Sequence, residues 1–463
     1  MLLSAERVIH DGYAYKGVGI DISDDGHILG VGMLREMGKP DVMLSDRVLI
    51  PGFVNAHSHS FQRLLRGRTQ FCGPDPDTFW TWREAMYWVS EQLDPHDVYV
   101  VARQAFTEML LGGVTTVGEF HYLLNQPDGE PYENPHALAY AIIEAARDTG
   151  IRLSLIRTVY LHGDFDEEPS PQQLRFCDPS VDVACLRFDE LANNLWEMRD
   201  PRISWAIAAH SLRGVSFEEL MSLKLRLAHM PFHLHISEHP REVRDCIEKY
   251  GAPPVALLAR SNLLDSCTTL IHATHLRAGE AQSIADKGAL VCMCPSTEAD
   301  LGDGLGPAAT LHALGVGLCL GTDGQTMSSI LSEARRVEMH ERLRLQQRNV
   351  LGRQEGDSVA AQVLKMATHN GATSLGIETG SLRGGRWADF TSFSLKDSAL
   401  LGADEWALLP ALIFSSDSRA IRDVMVGGKF VVQDGIHPQA RETADDFTDL
   451  CEALYPSSDA VED

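Results

Sequence analysis

In Val48-Leu-Ile-Pro-Gly-Phe-Val-Asn-Ala-His57-Ser-His59 an apolar, β-branched run ends in two histidines one residue apart. Such a run has no polar side for water and reads as a strand buried on both faces that meets chemistry at its carboxyl end. Side chains alternate along a strand, so His57 and His59 share one face and can offer two neutral nitrogens to one metal ion. Taken alone, His-x-His is also what two structural histidines look like by chance. The theme recurs, however. Runs of the same kind occupy 114–122, 153–162, 203–211, 231–238, 269–275, 289–297 and 316–323, and helical stretches fill the intervals. Eight such runs predict an α/β fold, a (β/α)8 barrel of the TIM type, which holds its chemistry at the carboxyl ends of its strands.

The helices carry their own signals. The clearest starts with Asp94 as N-cap and Pro95 at the first position. It keeps an apolar face through Val98, Val101, Ala102, Ala105, Phe106 and Met109, and stops at Gly112-Gly113. The chain ends read differently. Residues 6–50 and 381–435 hold short alternating strands with Gly and Asp turns, which predicts a small β-sandwich built from both termini. The expected division is 1–50 and 381–435 for that sandwich, 51–380 for the barrel, and 436–463 for an acidic tail.

Composition narrows the partners. The 463 residues carry 40 Lys+Arg against 65 Asp+Glu, a formal charge of −25, which argues against nucleic acid and anionic membrane surfaces. Part of that charge sits at the end, where residues 441–463 hold eight acidic residues and one arginine. The opening residues reach charge at once and lack the apolar core of a secretory signal. The apolar stretch at 406–414 contains a proline and is far shorter than the ~20 residues of a membrane span. Nine cysteines without regular spacing read as reduced thiols. A cytoplasmic globular protein with no membrane or nucleic-acid partner is expected.

Three further clusters carry chemistry. In Phe232-His233-Leu-His235-Ile-Ser-Glu238 both histidines fall on one face, and spacing alone does not say which would bind a metal. Glu238 follows within reach of a bound water, though a loop carboxylate would look the same. The sixth run ends in His272-Ala-Thr-His275 and the eighth in Gly321-Thr-Asp323. An aspartate buried at the end of an apolar strand is costly unless it is paired or bound to a metal. Cys292-Met-Cys294 in the seventh run reads as structural cysteine.

His57, His59, a strand-five histidine, His272 and Asp323 thus fall at the same end of four runs. The pattern resembles the amidohydrolase superfamily over nearly the whole chain. The resemblance implies His57, His59, His235 and Asp323 as metal ligands, with Glu238, His272 and Asp323 as catalytic residues. Binuclear members carry a bridging lysine on strand four. Ile203-Ser-Trp-Ala-Ile-Ala-Ala-His-Ser contains none, so one divalent ion per subunit, zinc, is implied. Mononuclear members with His-x-x-Glu, here His235-Ile-Ser-Glu238, are predominantly deaminases.

A narrower resemblance is to the formimidoylglutamate deiminase family. It rests on Asn55-Ala-His-Ser-His-Ser-Phe-Gln62-Arg63, Phe79-Trp-Thr-Trp-Arg83, Gly118-Glu-Phe-His-Tyr122, His210-Ser-Leu-Arg213, Leu270-Ile-His272-Ala-Thr-His275 and Cys294-Pro-Ser-Thr-Glu-Ala-Asp-Leu-Gly-Asp303. It implies Gln62, Arg83, Tyr122, His210 and Arg213 as substrate-binding residues. The reaction implied is attack of metal-activated hydroxide on the amidine carbon of N-formimino-L-glutamate, giving N-formyl-L-glutamate and ammonia in histidine degradation. A homodimer is also implied, for which the tryptophan-rich segment 79–88 offers a surface. The chemistry suits a dianionic small molecule, because arginine forms bidentate pairs with carboxylates that lysine does not match.

One departure stands out. The family usually continues Ser-His after the strand-eight aspartate, whereas Asp323 is followed by Gly324-Gln325-Thr326. An aminohydrolase acting on guanine, adenosine or another amidine is the alternative within the same chemistry. A barrel that lost catalysis and became a scaffold is the alternative outside it, but no ligand position is missing.

Overall fold

The computed structural model describes residues 1–73, 77–227, 230–352 and 354–456. Eight parallel strands pair in sequence order: Phe53–Ser58, Val114–His121, Arg152–Val159, Ile203–Ala209, Phe232–Ile236, Thr268–His272, Leu290–Met293 and Gly317–Leu320. Every residue of the second and third strands is buried, as strands covered on both faces require. The ring closes between the last and first strands. There Asp323 N–H donates to the His57 carbonyl at 3.0 Å and His59 N–H donates to the Asp323 carbonyl at 3.1 Å. Closure needs a glycine: a Cβ on Gly321 would lie 2.7 Å from both the Cβ and the carbonyl oxygen of His57.

Helices cover the barrel. The one at Pro95–Leu111 is closed at its start by a capping box in which Asp94 accepts from Asp97 N–H at 2.9 Å and Asp97 accepts from Asp94 N–H at 3.0 Å. Gly112 caps its other end.

The two ends of the chain meet in one small domain, an eight-stranded mixed sheet. Its order is Lys429–Val432, Ile421–Val426, Phe390–Ser394, Val42–Pro51, Leu2–His10, Val18–Ile22 and Ile28–Met33, with Tyr13–Tyr15 added to Leu2–His10. Val42–Pro51 is the hinge of this arrangement, parallel to Leu2–His10 on one side and antiparallel to Phe390–Ser394 on the other. Leu3, Ile20, Ile28, Leu49, Phe390 and Met425 make the core of this domain.

Barrel and sheet are joined by a buried ion pair. Arg152, at the start of strand three, donates to both oxygens of Asp389 at 2.9 and 3.0 Å. Asp389 also accepts from Thr379 Oγ1 at 2.7 Å and Gly427 N–H at 2.6 Å, and the Trp387 ring lies 4.3 Å from the guanidinium carbon. Beyond the sheet a helix, Ala440–Leu454, buries Thr443 and Phe447 and receives Arg103 on Glu442 at 2.8 Å and Asp446 at 3.0 Å. The acidic tail expected at 436–463 is therefore partly a docked helix; residues 457–463 lie outside the described residues. All nine cysteines are free, and no described helix is long and apolar enough to cross a membrane.

Candidate active site

The carboxyl ends of strands one, five, six and eight converge on one cluster of buried side chains. His57, His59, His235 and Asp323 each bring a ligand atom within 4.8 Å of the others. Their hydrogen bonds set the tautomers. His59 Nδ1 donates to the Phe120 carbonyl at 2.9 Å and His235 Nδ1 donates to the His210 carbonyl at 2.9 Å. A carbonyl only accepts, so both rings carry a proton on Nδ1 and turn Nε2, the atom free to bind a metal, inward. The Nε2 atoms of His57 and His235 face each other at 3.1 Å, and Asp323 Oδ1 stands 3.4 Å from His57 Nε2 and 3.2 Å from His59 Nε2. Burial drives His57 down to about 3 against the pull of Asp323, and holds His235 well below its usual value, so both rings are neutral. A cation among these atoms would satisfy all of them at once. The donor set, imidazoles and one carboxylate, is that of a divalent transition metal.

The backbone around the cluster is held in unusual conformations. Ser237, His272, Ala273, Asp323 and Gln325 all have φ between 48° and 69°, the left-handed region that non-glycine residues avoid. Such strain gathers where the surroundings force side chains to aim at a site.

His272 stands beside these four side chains rather than among them. Its Nε2 lies 3.5 Å from both Asp323 Oδ2 and Glu238 Oε1. Its Nδ1 faces Glu298 Oε1 at 3.3 Å, and that oxygen also accepts from Cys294 N–H at 2.8 Å. Burial alone would lower His272, but Glu238, Glu298 and Asp323 outweigh it and lift it to about 10, so the ring is an imidazolium at neutral pH. Burial likewise favours the neutral acid at Glu238, yet His239, His272 and Arg213 hold its carboxyl well below the usual range.

A cavity opens above the cluster and is lined by Gln62, Arg83, Tyr122, His210 and Arg213, the residues implied by the resemblance. Gln62 Nε2 donates to the Tyr122 hydroxyl at 2.9 Å, which leaves Gln62 Oε1 buried without a partner. Arg213 is 8% exposed, its contact with Glu238 is long at 3.4 Å, and its Nε has no partner. Arg83 is half-buried, lies 4.4 Å from the Trp80 ring, and also has an unpartnered Nε. An ordinary surface arginine would have its guanidinium in water.

Part of the tryptophan-rich segment offered above as a contact surface serves this cavity. Phe79 and Trp82 join Tyr160 and Phe176 in its wall, and Trp88 packs on Tyr455. Gln325 does not line it. The side chain is fully buried behind strand one, where Nε2 donates to Ser58 Oγ at 3.0 Å and Thr322 Oγ1 at 2.9 Å. His233, the other strand-five histidine, faces the Ser374 carbonyl at 3.0 Å, deeper along the barrel than the cluster.

Two groups of residues at the site escape the sequence reading. Glu298 is one; it lies in the quoted stretch 294–303, in the first turn of the helix Pro295–Asp300, but the resemblance implies no role for it. The pair His239 and Asp303, beside Glu238, is the other.

A closed parallel barrel that aims three histidines and an aspartate at one point, at the carboxyl ends of its strands, is the architecture of metal-dependent barrel hydrolases. Within that class the chain belongs to the amidohydrolase family, whose sequence profile matches residues 48–431. It is 36% identical over 459 residues to the formimidoylglutamate deiminase of Pseudomonas aeruginosa, covering 96% of this chain and 98% of that protein. It is 26% identical to the 5-methylthioadenosine/S-adenosylhomocysteine deaminase of Pyrococcus furiosus, covering 92% and 95%. The solved structure of an amidohydrolase from Brucella melitensis matches with a TM-score of 0.90 at 32% identity, covering 98% of this chain and 99% of that one.

Proposed function

We propose that the protein hydrolyses N-formimino-L-glutamate to N-formyl-L-glutamate and ammonia with one zinc ion held by His57, His59, His235 and Asp323. The observation that carries the substrate is the pair of arginines in the cavity, each with a buried Nε that has no partner. Unsatisfied buried donors are costly, and a carboxylate is the group that satisfies a guanidinium. The 36% identity to a deiminase over almost the full length supports the same reading.

His57, His59, His235 and Asp323 would hold a divalent ion, which when bound would lower the pKa of a water towards ~7 and so supply the nucleophile. The protein does the rest. The His272 imidazolium, held by Glu298 and 3.5 Å from Asp323, is placed to steady negative charge on an oxygen that attacks from beside Asp323. Glu238, kept ionised, takes a proton from the attacking water and passes it to the departing nitrogen, whose bond to the amidine carbon breaks as it leaves as ammonia. Arg213 and Arg83 hold the carboxylates, and the Gln62–Tyr122 pair with His210 orients the chain between them.

A second reading, deamination of a nucleobase or nucleoside, draws on the aromatic wall of Phe79, Trp82, Tyr160 and Phe176, against which a base could stack. Ammonia release separates the two. Metal-loaded enzyme is expected to release ammonia from N-formimino-L-glutamate, and Arg213→Ala is expected to cut kcat/KM by about 2–4 kcal/mol, roughly 30- to 1,000-fold. No release from that compound, with turnover of guanine or adenosine little affected by Arg213→Ala, overturns the proposal in favour of the second reading.

A further inference from the structure

Asp303 is a carboxylate that should not be where it is. Its side chain is wholly buried, neither oxygen has a well-formed hydrogen bond, and its ion pair is with His239, whose Nδ1 stands 3.1 Å from Oδ1. The other ring nitrogen, Nε2, stands 3.4 Å from Glu238 Oε2. The imidazole therefore bridges two carboxylates. Phe79 closes it off from water, with ring centroids 4.1 Å apart. A buried carboxylate without a counter-charge costs several kcal/mol, so the arrangement holds only while the histidine is cationic.

We propose that His239, backed by Asp303, is a positioning residue for the reaction: as an imidazolium it holds the Glu238 carboxylate ionised and turned towards the substrate nitrogen. This rests on the reading of Glu238 as the proton carrier. Three other groups face Glu238. Arg213 reaches it from the loop after strand four at 3.4 Å and His272 from strand six at 3.5 Å, while Glu242, on the helix Pro240–Tyr250, takes the Glu238 backbone N–H at 3.1 Å. Around His239 itself stand Glu238, Glu242, Asp303 and, more remotely, His275. Three carboxylates against one imidazole fix the sign. Burial lowers His239, but Glu238 and Asp303 outweigh it and raise it to about 9.

Oε2 of Glu238 thus has two cations, His239 and Arg213, and only one of them is free to stay there. When a substrate carboxylate draws Arg213 away, His239 remains to keep Glu238 in its accepting form. A residue that only filled space at this position would leave the charge of Glu238 untouched.

The test has two arms on the full-length, metal-loaded enzyme. In the first, the nitrogen spectrum of histidine-labelled protein at pH 7.5 is read, with His239 assigned by its loss in His239→Gln. An imidazolium signal in the parent that becomes neutral in Asp303→Asn is expected; a neutral ring in the parent overturns the proposal. This arm involves no substrate, so it stands even if N-formimino-L-glutamate is not turned over. In the second, kcat/KM is followed against pH. The acid limb is expected to move up by about one unit in His239→Gln and in Asp303→Asn, so that on that limb activity at a given pH falls up to about tenfold while the plateau above it is unchanged. A uniform loss at every pH in both variants, with unchanged melting temperature, overturns the proposal and makes the pair a packing feature.

Discussion

Glu298 divides one oxygen between His272 and the Cys294 backbone, and so ties the imidazolium to strand seven while lending it charge. Glutamine there keeps the acceptor and removes the charge. Glu298→Gln is expected to lower kcat about 10- to 100-fold with metal content, read by elemental analysis, unchanged. Lost metal would place Glu298 with the ligands instead. The same residue marks how far reading along the chain reaches. His57 and His59 are legible because a period of two puts them on one face, and Arg213 because it follows His210 in a motif. His233 and His235 are not separable by period, since depth along the barrel axis distinguishes them: one ends on Ser374 and the other at the cluster. Glu298 and Asp303 meet His272 and His239 only through the packing of adjacent strands, and nothing local announces it. Gln325 shows the opposite error, a departure in the motif that looks like a change in the cavity yet lies behind its wall.

The barrel strands are legible as elements because each is a continuous apolar run between helical stretches. Their number predicts the closed barrel, but not which atoms of strand one meet which atoms of strand eight. Gly321 is the contact. A methyl group there pushes against the main chain that carries His57, so Gly321→Ala is expected to lower metal occupancy before it lowers helix content, with elemental analysis and circular dichroism as the two measurements. A second element, the helix Ile330–Leu345, buries Glu333, which accepts from Ser296 N–H at 2.8 Å. Burial raises this carboxyl to about 7, so the unfolded chain gives up its proton first as pH rises. Stability from this group is full below pH 4.5 and is lost by pH 7. Glu333→Gln should therefore leave stability at pH 4.5 nearly unchanged and raise it at pH 8 by up to about 3 kcal/mol, measured by denaturant unfolding. An equal change at both values would show that the hydrogen bond, not the proton, governs the effect.

For the molecule as a whole, the joint between barrel and sheet rests on Arg152 and Asp389. Arg152→Met leaves a buried carboxylate with only the Thr379 hydroxyl and the Gly427 amide, and is expected to cost about 3–5 kcal/mol in chemical unfolding. Adding Asp389→Leu should recover part of that loss, because no uncompensated charge remains; a double variant weaker than the single would mean that the pair's attraction exceeds its desolvation cost. The net charge of −25 bears little on such a joint or on an anionic substrate, since each responds to the few groups around it. The split sheet has a consequence in time. Val42–Pro51 lies between Leu2–His10 and Phe390–Ser394, so one of its edges finds its partner some 340 residues later in the chain. During synthesis at roughly 5–20 residues per second, that edge waits tens of seconds, its amides open to any other strand. A chain interrupted before residue 390 should collect in aggregates even where its barrel is complete, and the full-length chain should refold slowly, its final step the arrival of the carboxyl-terminal strands.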